Sequence, residues 1–340
     1  MTFLKPFNQI KLFGLGNFFI ELVNLEKKNI LPNKIILSGQ KGLGKSTMAF
    51  HLVNYILSKD EEFKYDLENF EINQENHSFK TILNRSNPNF ILIDILSDKK
   101  VIDITQIREL ISKLTKSSFN EKPRFVLIDN IEFLNINSIN ALLKILEEPP
   151  VGVYFLLIAD ELNNILPTIQ SRSQKVFFRN LTLDECKNII TLNNSIINKE
   201  NLDDIIKLSN YSPGLSLEIN SFSGLSIYQE LLNTFINKQT IRDFSKKIVS
   251  TSKNNLSNIW IVEFLIKKLL SNCLRYSINK ESINNSLILN ENQIIKTIQK
   301  NKNNNDLLDI LDDLNYRIKR VKNFNLSLEL EVFQFLNQFH

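Results

Sequence analysis

The chain has 340 residues, of which 43% are apolar and 23% charged, and its formal net charge is +4. This length suits two or three domains, each large enough to bury a core. The positive charge is weak and scattered, which excludes tight autonomous binding of nucleic acid through a dense basic surface.

The cysteines and the apolar runs exclude further classes. The two cysteines, Cys186 and Cys273, lie far apart and have no CxxC partner, so we expect no zinc site and a reducing compartment. The first residues carry no signal-peptide core. No apolar run approaches the roughly 20 residues that span a bilayer. We therefore expect a cytoplasmic protein with no membrane partner.

The elements divide the chain into an alternating part and a helical part. Short apolar runs separated by helical stretches predict a parallel sheet covered on both faces. The predicted strands are residues 34–37, 90–95, 125–128, 153–159 and 175–178. No proline follows Pro213 and no glycine follows Gly224, so the last third is predicted to be helical. We expect a nucleotide-binding α/β domain at 1–178, a small helical domain at 179–222 and a helical domain at 223–340.

The first chemical motif is GQKGLGKS at residues 39–46, after a predicted strand and before a predicted helix. Its glycines let backbone N–H groups close around phosphate, and the helix N-terminus favours the same charge. Lys45 is expected to reach the outer phosphates and Ser46 to bind Mg²⁺. The predicted nucleotide-binding residues are Gly39, Gln40, Lys41, Gly42, Leu43, Gly44, Lys45, Ser46 and Thr47. A chance match, or a loop that has lost its ligand, is the alternative.

The second half of such a pocket is an acid at the end of a neighbouring strand. Asp129 closes the run FVLID and could hold the Mg²⁺ with its water shell. The next residue, Asn130, can hold a water but cannot take its proton, and a general base is typically worth ~10²–10⁴-fold in rate. Glu132 is expected to point elsewhere. The sequence therefore predicts binding of ATP or ADP with Mg²⁺ and slow hydrolysis.

Five further motifs stand out: PFNQIKLFG at 6–14, NRSNPNFILID at 84–94, NALLKILEEPP at 140–150, LPTIQSRS at 166–173 and SPGLSLEI at 212–219. Together they resemble the bacterial clamp-loader subunits of DNA polymerase III. The resemblance covers about residues 1–222 by motif and the remainder by helical character alone. It implies an AAA+ P-loop domain with a parallel sheet, a small helical lid, and a C-terminal all-α collar that joins five subunits into a ring.

The same resemblance assigns a role to Arg172. It implies an arginine finger that reaches the ATP of a neighbouring subunit, where such a residue is worth ~10³–10⁵-fold in rate. The alternative is a surface arginine paired with a nearby acid. The helix before it is predicted to be mostly a packing element, with Lys144 and Glu147 on its outer side.

Departures from the motor subunits, gamma/tau, place the chain within the family. It lacks the cysteines of their zinc module, and Asn130 stands where they carry glutamate. In the lid, Gly214 and Leu215 occupy the positions where the motor subunits supply an arginine to ATP. Either Ala159 or Asp160 replaces the sensor threonine of the motor subunits. With Arg172 kept, these losses resemble the delta-prime subunit.

The resemblance therefore implies a comparatively rigid subunit that helps load the sliding clamp on primed DNA. Its expected partners are the gamma/tau and delta subunits, the sliding clamp and, through the complex, DNA. We expect a component of the polymerase holoenzyme that is not itself the polymerase and hydrolyses ATP weakly or not at all. A self-sufficient motor of the gamma/tau type is the first alternative, and a small-molecule P-loop kinase is a weaker one.

Overall fold

The chain divides into two compact units. The structure, a computed structural model, describes residues 5–96, 99, 101–115, 121–192, 197–198, 200–250, 255–278, 288, 291–324 and 326–339. The units are Met1–Leu181 and Thr182–His340. The three-domain division at 178 and 222 stays a prediction. Within the described residues no helix combines the length and apolar character needed to cross a membrane.

A parallel sheet organises the described residues of the first unit. Its five strands are ordered β2-β3-β4-β1-β5, and every neighbouring pair is parallel. The strands are β1 (Lys34–Ser38), β2 (Phe90–Ile93), β3 (Arg124–Ile128), β4 (Val153–Ala159) and β5 (Gln174–Phe177). Each overlaps a strand expected from its apolar run. Only β2 is clearly shorter, ending at Ile93, and the backbone N–H of Ile95 donates to the carboxylate of Asp94 at 2.7 Å instead of extending the ladder.

Helices cover both faces of the sheet. Those of the first unit are α1 (Gly16–Lys27), α2 (Lys45–Leu57), α3 (His77–Leu83), α4 (Ile104–Leu114), α5 (Ile136–Glu147) and α6 (Pro167–Gln170). Because successive side chains of a strand point to opposite faces, Ile35 and Leu37 of β1 join one core, while Ile36 joins the other. The central strands are therefore apolar on both faces, as in an α/β protein.

The register of the strands determines where ligands can bind. Ser38, the last residue of β1, pairs with Ala159, the last residue of β4. Ile128, the last residue of β3, pairs with Leu157 of β4. The carboxyl ends of the three strands thus meet at one edge, which is where open α/β sheets bind ligands.

The second unit is built from helices. They are α7 (Leu183–Leu192), α8 (Leu202–Leu208), α9 (Pro213–Ser221), α10 (Gly224–Ile236), α11 (Thr240–Ser250), α12 (Asn255–Ile278) and three further helices, Glu291–Asn301, Asn304–Phe324 and Leu328–Leu336. One apolar core includes Leu215 and Ile219 of α9 as well as Ile261 of α12. At Gly224 a Cβ atom would lie 2.6 Å from Ile219 Cγ2. The helices predicted for the lid and the collar therefore share buried contacts.

Candidate nucleotide-binding site

The phosphate loop joins β1 to α2, and its shape requires glycine. Gly44 adopts φ +85° at the N-cap of α2. Gly39 adopts φ +152°, and a Cβ atom there would lie 2.8 Å from both Cβ and the carbonyl oxygen of Phe178. The backbone N–H of Gly39 also donates to the carbonyl of Ala159 at 3.3 Å. The loop is therefore held between the ends of β4 and β5, and only glycine fits at position 39.

Lys45 lies inside this loop with only 4% of its side chain exposed. Its Nζ donates to the carbonyl oxygens of Gly39 at 2.5 Å and Gln40 at 2.9 Å. A third bond, at 2.9 Å, goes to Oδ1 of Asp160. An ammonium group has three N–H donors, so these acceptors occupy all of them. A phosphate oxygen must therefore displace one of the three to reach Lys45.

The structure brings Ser46 and Asp129, the two predicted magnesium ligands, into direct contact. The Ser46 hydroxyl donates to Oδ2 of Asp129 at 2.9 Å. Two oxygens on adjacent positions of an octahedral Mg²⁺ ion, each at 2.0–2.1 Å, lie about 2.9 Å apart. The pair therefore fits as two oxygen donors to a magnesium ion that accompanies a bound nucleotide.

Burial is the main influence on the Asp129 carboxyl. It raises the pKa of Asp129 to about 6, a change that the hydrogen bond from Ser46 opposes and the nearby charge of Asp94 reinforces. A cation at this carboxylate would favour its charged form by the same electrostatic reasoning. Asp94 at the end of β2 is a part of this environment that the sequence analysis did not single out.

The residues after β3 do not supply an evident general base. Asn130 adopts the left-handed conformation (φ +58°), which asparagine tolerates, and its Nδ2 donates to Oδ1 of Asp94 at 3.3 Å. The carboxylate of Glu132 accepts the backbone N–H groups of Asp160 and, at 3.3 Å, of Glu161. This acid therefore stabilises a turn of the backbone. The arrangement can bind phosphate and a cation but offers little help in deprotonating water.

Asp160 is a site residue whose contact the sequence analysis did not foresee. It follows the last residue of β4, and β4 is the neighbour of β1 in the sheet. An acid one position beyond a central strand is the signal that could have placed it, once β4 was paired with the strand that carries the phosphate loop. Without that pairing the sequence offers no reason to connect Asp160 with Lys45.

A cavity of about 260 Å³ lies beside the phosphate loop. Its lining residues include Leu43 of the loop, Phe18 and Glu21 of α1, and Arg179. The rings of Phe18 and Phe178 stack with centroids 5.4 Å apart. The apolar and aromatic side chains of Leu43, Phe18 and Phe178 offer contacts that suit a nucleobase, and Asn17, Glu21 and Arg179 add polar groups to the same walls. Its residues come from both ends of the unit's sequence, which is why no local motif revealed it.

Arg172 lies just after α6, and its side chain is 37% exposed. Nη1 donates to the carbonyl oxygen of Thr168 at 2.9 Å, and Nη2 donates to Oε1 of Glu147 at 2.9 Å. These bonds hold the guanidinium at the surface, away from the contacts that Lys45 and Ser46 make. The structure therefore does not assemble Arg172 with the nucleotide-binding residues of its own chain.

The lid motif in the second unit gives no cation where the motor subunits are expected to have one. Leu215 is buried in the helical core, whereas Gly214 is exposed at the start of α9. Ser212 caps this helix by accepting the backbone N–H of Leu215 at 3.4 Å. The motif therefore contributes a helix start and a core residue.

Comparison with known proteins identifies relatives. The family model described as "DNA polymerase III, delta subunit" matches residues 16–182. The gamma/tau subunit of DNA polymerase III from Mycoplasma genitalium is 30% identical over 257 residues, which are 74% of this chain and 40% of that protein. The delta' subunit from Pseudomonas aeruginosa is 28% identical over 137 residues, 40% of each protein. The chain therefore spans no more than two fifths of either relative in these matches. A solved gamma subunit-related protein from Thermotoga maritima matches 94% of this chain and 98% of its own at 18% identity and a TM-score of 0.45.

A phosphate loop after β1, the neighbour of the central strand β4 in a parallel sheet, and Asp129 directly after β3 define a P-loop nucleotide-binding domain. The family match and the curated relatives then narrow the class. Residues 16–182, the part of the chain that the family model matches, belong to the clamp-loader family of DNA polymerase III subunits. Both gamma/tau and delta' proteins are among its relatives, so similarity alone does not assign a subunit type.

Proposed function

We propose that the chain is a delta-prime-type subunit of a clamp loader. In this role it helps to place a sliding clamp on primed DNA, and Arg172 acts on ATP held by a neighbouring subunit. The observation that carries the proposal is the position of Arg172, which is partly exposed and bonded to Thr168 and Glu147. An arginine in that position is available to a second protein and makes no contact with its own phosphate loop.

Weak hydrolysis by the chain itself is the second part of the proposal. It is supported by Asn130, an amide in the position that follows the strand carboxylate, and by Glu132, whose carboxylate is already bound to backbone N–H groups. With no base beside the water, the chemical step loses the ~10²–10⁴-fold that such a group contributes. ATP or ADP with Mg²⁺ would be held by residues 39–47 and Asp129.

A motor subunit of the gamma/tau type is the competing function. One observation favours it: the match to the Mycoplasma genitalium gamma/tau subunit extends over 74% of this chain. The complete phosphate loop, with Lys45 and Ser46 in place, is also compatible with a motor. The rate at which the chain itself hydrolyses ATP therefore distinguishes a delta-prime-type subunit from a motor.

Nucleotide titration of the purified chain, together with steady-state ATP hydrolysis, separates the two functions. The delta-prime proposal expects saturable binding that Lys45→Ala weakens, and turnover close to that of Lys45→Ala. Brisk hydrolysis by the wild-type chain, abolished by Lys45→Ala, would reject the proposal and favour the motor. Glu161→Gln, an exposed acid near the site, is the control for a change of charge.

The proposed partners are the gamma/tau and delta subunits in a five-membered ring, and through the ring the clamp and DNA. Family membership supports this set, because the related proteins are subunits of DNA polymerase III. Co-expression with those subunits tests it. Stoichiometric co-purification is expected, whereas a chain that stays separate from every one of them contradicts the assignment.

A further inference from the structure

The ion pair between Lys45 and Asp160 is a feature that nucleotide binding alone does not explain. Lys45 Nζ lies 2.9 Å from Oδ1 of Asp160, and the side chains are 4% and 41% exposed. The other two acceptors of Lys45 are neutral carbonyl oxygens, of Gly39 and Gln40. Asp160 is thus the charged one of its three partners. The position that a phosphate oxygen should take at Lys45 is already held by an anion of the chain.

The backbone at Asp160 is fixed by a second acid. The backbone N–H of Asp160 donates to Oε1 of Glu132, which also accepts the N–H of Glu161 at 3.3 Å. Glu132 follows β3 and Asp160 follows β4, two neighbouring strands. This contact keeps the turn after β4 beside the phosphate loop. The Asp160 carboxylate therefore reaches Lys45 without a rearrangement of the backbone.

We propose that Asp160 determines nucleotide specificity by competing with the outermost phosphate for Lys45, so that the pocket favours a nucleoside diphosphate over a triphosphate. This inference rests on the nucleotide-binding part of the proposed function. It adds a selectivity that the phosphate loop itself does not imply, because the loop in isolation would hold the outer phosphates of either ligand.

The argument is electrostatic. Lys45 is expected to reach the β- and γ-phosphates, and the carboxylate beside it repels whichever phosphate approaches. A triphosphate brings one more phosphate and more negative charge to this end of the site than a diphosphate does. Since Asp160 is partly exposed, solvent screens the repulsion, and removing the charge should change affinity by about tenfold rather than by many decades.

Two substitutions at Asp160 test the inference in the full chain. Asp160→Asn keeps the size and an oxygen acceptor for Lys45 but removes the charge, and Asp160→Ala removes both. Dissociation constants for Mg·ATP and Mg·ADP are measured by titration calorimetry. Thermal unfolding confirms that each variant is folded. Glu161→Gln removes the same charge from the adjacent residue without touching Lys45 and is the matched control.

Both Asp160 variants are expected to bind Mg·ATP about tenfold more tightly and Mg·ADP only about threefold more tightly than the wild type, since the γ-phosphate feels the larger repulsion. Glu161→Gln should leave both constants unchanged. Equal changes for the two nucleotides, weaker binding in both variants, or no binding by any of the chains would overturn the inference. Stimulated ATP turnover in an assembled loader tests Arg172 separately, so either conclusion can fail while the other stands.

Discussion

Arg172 and Glu147 form an ion pair in which Nη2 lies 2.9 Å from Oε1, with the side chains 37% and 52% exposed. The pair joins the segment after α6 to the last residue of α5, and β4 lies between these two helices in the sequence. An exposed pair of this kind typically contributes only ~0.2–1 kcal/mol. Arg172 can therefore exchange Glu147 for another anion at little cost, which is what an arginine acting on a neighbouring subunit requires.

A double-mutant cycle measures that cost. We expect Arg172→Ala, Glu147→Ala and the double variant to show a coupling free energy below ~1 kcal/mol in chemical unfolding, because solvent screens the pair. Arg108→Ala, an exposed arginine of α4, controls for the loss of a surface guanidinium. A coupling above ~2 kcal/mol would make Arg172 a structural residue and support the plain surface-pair interpretation.

Two glycines with positive φ provide a matched test of the phosphate loop. We expect Gly39→Ala to lower the free energy of unfolding by at least ~2 kcal/mol, because its Cβ would lie 2.8 Å from the backbone oxygen of Phe178. Gly152 has φ +74°, and a Cβ atom added there would meet no other atom within 4 Å, so Gly152→Ala should cost only ~1 kcal/mol. Urea unfolding compares them. Equal losses would mean that the loop is not packed against Phe178.

The sequence predicted the phosphate loop and the sheet because both depend on local patterns. Residues 39–46 form one uninterrupted motif, and the apolar runs of β1 and β4 record burial on two faces. The sequence assigned Ser46 and Asp129 to one magnesium site, and they lie close together because the phosphate loop leads from the end of β1 to Ser46 while Asp129 directly follows β3 in the same parallel sheet. The Lys45–Asp160 pair did not follow, because it depends on which strands are neighbours. The order of strands is a property of long-range packing that a run of apolar residues does not encode.

The end of β2 and the cavity show the same limit. An apolar run up to Ile95 favoured a longer strand, but the Asp94 carboxylate binds the following backbone N–H and ends the ladder earlier. The cavity is lined by Phe18 and Phe178, whose rings stack although most of the first unit's sequence separates them. Contacts of this range are formed by the fold as a whole.

The buried side chain of His51 is expected to make the stability of the first unit depend on pH. It is fully buried, with its ring nitrogens 2.9 Å from the Tyr65 hydroxyl and 3.0 Å from the Gln9 carbonyl oxygen, and burial lowers its pKa to about 4. The unfolded chain takes up this proton near pH 6.5, so His51 favours unfolding increasingly as the pH falls from 6.5 towards 4.

Replacing His51 by glutamine isolates this effect from other titrating groups. The variant should be less stable than the wild type at pH 7, and the difference should shrink by about 2 kcal/mol at pH 5, since only the wild type loses stability through this group. Urea unfolding at the two pH values measures it. A difference that is constant with pH would show that His51 keeps an ordinary pKa in the folded chain.

The unit boundary guides a truncation experiment. Residues 1–181 contain the sheet and its two cores, so we expect this fragment to unfold cooperatively on its own. A cut at residue 222 should instead expose apolar surface, because Ile219 and Ile261 belong to one core.

The 1–181 fragment is also predicted to stay out of an assembled loader, since the proposed collar lies in the second unit. Size-exclusion chromatography of co-expressed subunits checks this prediction. If the fragment co-purifies with its partners in stoichiometric amounts, the helical unit is not the part that joins the ring.

The most direct test of the account compares two variants of this chain within the assembled loader, in the presence of clamp and primed DNA. Arg172→Ala should leave assembly intact and reduce ATP cleavage at the neighbouring site by ~10³-fold or more, so that only the remaining sites contribute to turnover. Lys45→Ala should leave turnover nearly unchanged, because this chain's own pocket contributes little hydrolysis. Unchanged turnover with Arg172→Ala, together with a large loss with Lys45→Ala, would contradict the account.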